Sequence, residues 1–134
     1  VSSFILRFRG VNILSNFLSI VSDEKGIEQE EIGKIKFLEE QTRTKWGELV
    51  ELPQDFYIKT KKLIEDLRKK GDLEKAKKLE ESLDTIINIR TRKILMLAYF
   101  KVNDDKLINK MTFEEKELFQ LLREVIDEWQ QKVK

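Results

Sequence analysis

Apolar residues recur at spacings of three and four along most of this chain, a pattern that predicts helices almost throughout. Val11, Leu14, Leu18 and Val21 mark a first short amphipathic helix, with Asn12, Asn16 and Ser19 on another face. Gly10 separates it from Phe4 to Arg9, which reads either as an extension of that helix or as a short strand, and Asp23 to Gly26 breaks the pattern. A second helix is predicted from about Glu28 to Trp46, with Ile32, Ile35, Leu38, Thr42 and Trp46 on one stripe and Gly47 at its end. Pro53 suits the first position of a third helix, where its missing N–H would have had no partner. Phe56, Thr60, Leu63, Ile64 and Leu67 give that helix its buried face; Gly71 stops it and Asp72 caps the next.

The fourth helix is long, from about Asp72 to Lys101, with Leu73, Ala76, Leu79, Leu83, Ile86, Ile87, Ile94, Leu97 and Ala98 along its stripe. From Ile94 to Phe100 it is apolar nearly all round, which places that half inside the bundle or at a subunit contact. Val102 to Lys110 is a polar connector with a turn of helix at Lys106 to Ile108. Thr112-Phe113-Glu114-Glu115 has the pattern of a capping box, and Leu118, Leu121, Leu122, Val125, Ile126 and Trp129 form the inner face of the last helix. The predicted fold class is all-α: an irregular bundle of about five helices including one long central helix. The stripes are too short and irregular for a long coiled coil. Residues 1–26 read as an N-terminal extension and 27–134 as the helical domain.

Composition removes most chemistries. The chain has 134 residues, enough for one domain with a modest core, and neither histidine nor cysteine. That excludes a Ser-His-Asp triad, a histidine or thiolate zinc site, iron–sulfur clusters and disulfides; a cysteine-free chain also suits the cytosol. No phosphate-cradling glycine loop is present. With 26 basic and 25 acidic residues, no global field draws the chain to nucleic acid. Phe4 to Val21 carries Arg7, Arg9, Asn12 and Asn16 and is too polar to span a membrane; Arg7 and Arg9 also interrupt any signal-peptide core.

The remaining charged groups have ordinary readings beside sharper ones. Glu28, Glu31, Glu39 and Glu80 fall among lysines on expected outer faces, which reads as a solvated helix surface rather than a metal site. Lys59-Thr60-Lys61-Lys62, Arg68-Lys69-Lys70 and Lys75 to Lys78 are interleaved with Glu65, Asp66, Glu74, Glu80 and Glu81, which offset them; weak DNA contact through these faces is the second functional reading. Arg90, Arg92 and Lys93 form a basic turn on the long helix. Arg90 borders the apolar stripe, where its planar fork suits either an intrachain carboxylate or a partner contact. Trp46, Tyr57 and Trp129 read as core or edge-of-core residues, and any that prove exposed point to partner docking.

The order of motifs resembles a known family. Gly47-Glu48-Leu49, Leu52-Pro53-Gln54-Asp55-Phe56-Tyr57, Ile64-Glu65-Asp66-Leu67-Arg68, Ile89 to Ala98 and Met111 to Phe119 together resemble the helical domain of GINS subunits. These are archaeal and eukaryotic factors of the replicative helicase. The similarity is to the type in which the helical domain precedes a small β-rich domain. The family's β-domain would follow the last helix, where this sequence stops at Lys134, and residues 1–26 have no counterpart in the simplest archaeal members. The resemblance implies a non-enzymatic subunit, without cofactor, that assembles with other GINS subunits as a homo- or hetero-tetramer. It implies bridging of the MCM helicase and a Cdc45/RecJ-like partner, contact with primase or polymerases, and a chromosome-associated location in the archaeal cytoplasm or, in a eukaryote, the nucleus. Leu52, Pro53, Asp55, Phe56 and Tyr57 are then structural family positions. The expected subunit interface comprises Arg90, Arg92, Lys93, Ile94, Leu97, Tyr99, Phe100 and Trp129.

Overall fold

The computed structural model describes residues 26–134, and the helix expected over Val11 to Val21 lies outside them. The described residues form α1 (Gln29–Gln41), α2 (Phe56–Lys69), α3 (Leu73–Tyr99), α4 (Asp105–Ile108) and α5 (Phe113–Val133), with no strand among them. The 27-residue α3 is the spine against which α1, α2 and α5 all pack.

Each helix end has a local cause. At the end of α2, Gly71 takes a left-handed φ of 83°, and Asp72 N–H and Gly71 N–H donate to the carbonyls of Leu67 and Arg68. This Schellman closure reverses the chain, so α2 and α3 form an antiparallel hairpin, clipped further along by the Arg68–Glu80 pair. The same pattern closes α3: Lys101 at φ 54° is followed by Val102 N–H donating to the Leu97 carbonyl at 3.0 Å. Val102 packs into the core beside Leu97, the hydrophobic contact that commonly accompanies this closure. At the start of α5, Thr112 accepts from Glu115 N–H while the Glu115 carboxylate accepts from Thr112 N–H, which is the expected capping box.

Three expected boundaries move. α1 ends at Gln41 rather than Trp46, because the segment after it turns to bring the Glu48 and Val50 carbonyls to side chains of α3. Pro53 opens a turn instead of a helix: its carbonyl accepts from Phe56 N–H at 3.1 Å, and α2 begins at Phe56. Asp72 precedes α3 without capping it through its side chain; its carboxylate faces Lys75 at 3.5 Å.

The core has two apolar parts. Ile27, Ile32, Leu52, Phe56, Ile64, Ala76, Leu79, Leu83 and Ile86 form one. Leu49, Ile94, Leu97, Ala98, Leu107, Met111 and Phe119 form the other. Along α3 they are separated by the turn that carries Arg90 and Lys93.

Candidate functional site: a buried charge layer and an exposed apolar face

Arg90 is fully buried, and every N–H of its guanidinium is used. Nε donates to Glu115 Oε2 at 2.7 Å and Nη2 to Glu115 Oε1 at 2.8 Å, a bidentate pair with α5. Nη1 donates to Glu39 Oε2 of α1 at 2.6 Å and to the Val50 carbonyl at 2.7 Å, and Nη2 reaches the Lys110 carbonyl at 3.1 Å. One turn on, buried Lys93 directs Nζ to Glu39 Oε1 at 2.6 Å, Thr42 Oγ1 at 2.8 Å and the Glu48 carbonyl at 2.6 Å. Tyr57 Oη of α2 donates to Glu115 Oε2 at 2.5 Å. Two cations and two carboxylates thus cancel in a layer that joins four helices and two connecting segments. Charges this deep are stable only when paired and fully hydrogen-bonded, as these are.

Two donors of the layer, Arg90 and Tyr57, have shifted pKa values. Burial acts to lower the Arg90 pKa, but the hydrogen bond and charge of Glu115, with Tyr57 and Glu39, outweigh it, and the net shift is upward. Burial, reinforced by the Glu115 charge, pushes the Tyr57 phenol well above its ordinary value, so it remains a donor. Beside the layer, burial raises the Glu114 carboxyl, with the Glu115 charge contributing. The arrangement binds helices together.

The expected interface residues divide between inside and outside. Arg90, Lys93, Ile94 and Leu97 are enclosed by this chain's own helices, so of the two readings of Arg90 the structure displays the intrachain pair. Arg92, Tyr99, Phe100 and Trp129 are exposed, the last at 62%. Of the family-motif positions, Leu52, Asp55 and Phe56 are buried and Tyr57 is half-buried, while Pro53 stands exposed on its turn. Glu39 is a correction: expected on a solvated face, it has no exposure and anchors both cations. The signal was available, since Glu39 follows Ile32 by seven residues and Ile35 by four, on the stripe itself. Glu115 was read as a cap and has a second role toward Arg90 that the capping pattern conceals.

The outside of the bundle has its own pattern. Leu95 and Tyr99, two residues either side of buried Leu97, point about 200° away from it and are 45% and 52% exposed. Val125 and Trp129 stand in the same relation to Asp127, which pairs with Lys101 at 3.0 Å. Phe100 stacks on Trp46 at 5.0 Å and meets Tyr99 edge-on at 5.0 Å. Trp129 was expected on the inner face of the last helix; it faces outward, with Val125. By contrast the lysine-rich faces carry offsetting acids: Lys59–Asp55, Lys75–Asp72 and Lys78–Glu74 lie at 3.2, 3.5 and 3.9 Å. Large exposed apolar groups clustered together mark association surfaces.

No described helix is long and apolar enough to cross a membrane, and no group of three or more acidic residues able to hold a metal occurs among the described residues. Residues 22–134 match the family described as Sld5, the GINS complex protein helical bundle domain. No curated protein and no solved structure matches the chain.

Proposed function

This chain belongs to the GINS family, and from that premise we propose that it is a non-catalytic subunit whose helical domain joins related subunits through the exposed side chains of α3 and α5. The observation that carries the reading is the family match over residues 22–134. The apolar side chains left outside a well-packed core support it, because association is the ordinary way to remove such surface from water. In this reading the buried charge layer shapes the subunit, while Arg92, Leu95, Tyr99, Phe100 and Trp129 meet neighbours. The assembled complex then bridges the MCM helicase and a Cdc45/RecJ-like partner, with primase or polymerase contacts in the same assembly. We place it in the archaeal type with the helical domain first.

The test is co-expression of the 134-residue chain with a second GINS-type subunit from the same genome, followed by size-exclusion with light scattering. A stable complex of defined mass is expected, and substitution of Tyr99 and Trp129 by alanine weakens it. Separate elution of the two chains at micromolar concentration refutes the proposal. The interleaved acids on the lysine-rich helices favour protein over DNA as the partner.

A further inference from the structure

The outer side of α1 stands open among the described residues. Ile32 and Glu39 turn inward, and α1 packs on α3 through that side. Phe37 lies two residues before Glu39, about 200° round the helix from it, and Leu38 lies about 240° from Ile32. Both are exposed, Phe37 at 59%. Gly33 and Lys34, each four residues earlier, are exposed as well, so Gly33–Phe37 and Lys34–Leu38 form two adjacent ridges. The first ridge is cut short at Gly33, where an added Cβ meets nothing within 4 Å. Alanine would fit there and suits a helix interior better, so the packing of the described bundle gives no reason for glycine. A glycine beside an exposed phenylalanine leaves a notch that a large side chain of another helix can enter.

The chain itself supplies such a helix within reach. Val11 to Val21 holds seven apolar residues and no charged one, with Leu14, Phe17, Leu18 and Val21 on one side and Asn12, Asn16 and Ser19 on the other. A face this apolar needs cover from water. The family match begins at residue 22, so the segment is additional to the bundle that the family shares. Ile27 is buried in the core with Ile32 while Gly26 is exposed, so the preceding chain leaves the bundle at the first turn of α1. Residues 22–26 span up to about 16 Å when extended, against the roughly 8–10 Å between the axes of packed helices. That length carries the chain round to the outer side of α1.

We propose that Val11 to Val21 docks as a helix, antiparallel, on the outer side of α1, covering Phe37 and Leu38 and seating Phe17 at Gly33. The register follows from the connector. With residues 22–28 as the turn, Val21 lies level with Gln29, Phe17 with Gly33, and Leu14 with Lys36, beside Phe37. The Phe17 ring then enters the notch, and Leu14 and Leu18 pack along the two ridges. A tethered helix acts at an effective concentration in the millimolar range, which favours it over a free partner of similar surface. The inference is independent of the assembly reading above, since it leaves the exposed side chains of α3 and α5 uncovered.

Hydrogen–deuterium exchange of the 134-residue chain, read on a peptic peptide covering residues 11–21, tests it. In the parent those amides are expected to exchange at least about tenfold more slowly than an unstructured chain, equally at about 5 and about 100 µM, because docking within one chain is independent of concentration. Phe37→Asp, at a position the described bundle leaves exposed, returns them to within about threefold of the unstructured rate. Gly33→Gln fills the notch while favouring α1 as a helix, so it lowers their protection at least about threefold without loosening α1 itself. Trp129→Asp, on α5, leaves them at the parent rate, and peptides from α3 keep their parent rates in all three variants. Absence of protection in the parent, or protection that survives both α1 substitutions, overturns the inference. Protection that grows with concentration marks a second copy as the partner, and protection lost in Trp129→Asp moves the helix to α5; either result overturns it. Protection that arises only with vesicles of equimolar phosphatidylcholine and phosphatidylglycerol assigns the segment to a lipid surface and overturns it too.

Discussion

Replacing Arg90 by methionine isolates the contribution of the buried charge layer. Methionine follows much of the arginine stem, so the cavity is small and the loss is chiefly electrostatic. The change removes both bonds to Glu115, the bond to Glu39, and those to the Val50 and Lys110 carbonyls. Glu39 keeps Lys93 at 2.6 Å, whereas Glu115 keeps only neutral donors, Thr112 N–H and Tyr57 Oη. Removing one partner of a buried ion pair costs about 3–5 kcal/mol, and each stranded carbonyl adds roughly 1 kcal/mol. The sum, about 5 kcal/mol or more, is comparable with the whole stability of a marginal domain at roughly 5–15 kcal/mol. Urea unfolding followed by far-UV circular dichroism at neutral pH measures it through the midpoint and slope. Glu115→Gln supplies the second arm: with the orphaned charge neutralised, the double variant is expected to be less destabilised than the two single losses added, by about 2 kcal/mol. Arg92→Met, on the exposed side of the same turn, is the control and should stay within about 0.5 kcal/mol of the parent. An Arg90→Met loss below about 1 kcal/mol, or strictly additive losses in the double variant, refutes the reasoning.

Two further outcomes are expected from single substitutions. Phe56 has no exposure in the part of the core it shares with Ile32, Ile64 and Ile86, so Phe56→Ala costs about 3–5 kcal/mol, read in the same unfolding experiment. Glu114 carries a carboxyl raised by burial, so the folded chain holds that proton more readily than the unfolded one; its charge costs stability at neutral pH, and the cost is relieved as pH falls through the raised value. Glu114→Gln should therefore raise Tm at neutral pH, with the gain vanishing in acid, and an unchanged or lower Tm at neutral pH counts against it.

The helices were legible in the sequence because their stripes are regular and their stops are local. Gly71 and the Thr112–Glu115 box act through bonds within a few residues, so the expected positions coincide with the observed ones. The end of α1 was not legible, since it is set by carbonyls that must reach Lys93 and Arg90 on a distant helix. Pro53 obeyed a turn preference instead of a helix-start preference, a choice fixed in part by Gln54 Nε2 donating to the Met111 carbonyl 57 residues away. The charge layer was half visible. Arg90 stood out beside the apolar stripe, but a carboxylate on a lysine-rich helix looks solvated until its position on the stripe is counted. Of the residues expected at a subunit interface, Tyr99, Phe100 and Trp129 stand exposed, whereas Arg90, Lys93, Ile94 and Leu97 are turned inward by the fold.

The Arg90 layer also bears on how many ways these helices can pack. Apolar stripes are forgiving: leucine and isoleucine pack nearly as well after a helix slides by one turn, about 5.4 Å along its axis. The bidentate pair is not forgiving. Such a slide of α5 along α3 carries Glu115 out of reach of a fork held at 2.7 and 2.8 Å, and the same slide of α1 strips Glu39 from both cations. Every shifted alternative thus strips partners from the charges of this layer, while the native register pairs all four of them. The layer works as a detent: it selects a single register for three helices whose hydrophobic faces alone would accept several, and so keeps the outer strips of α3 and α5 at a constant height relative to each other.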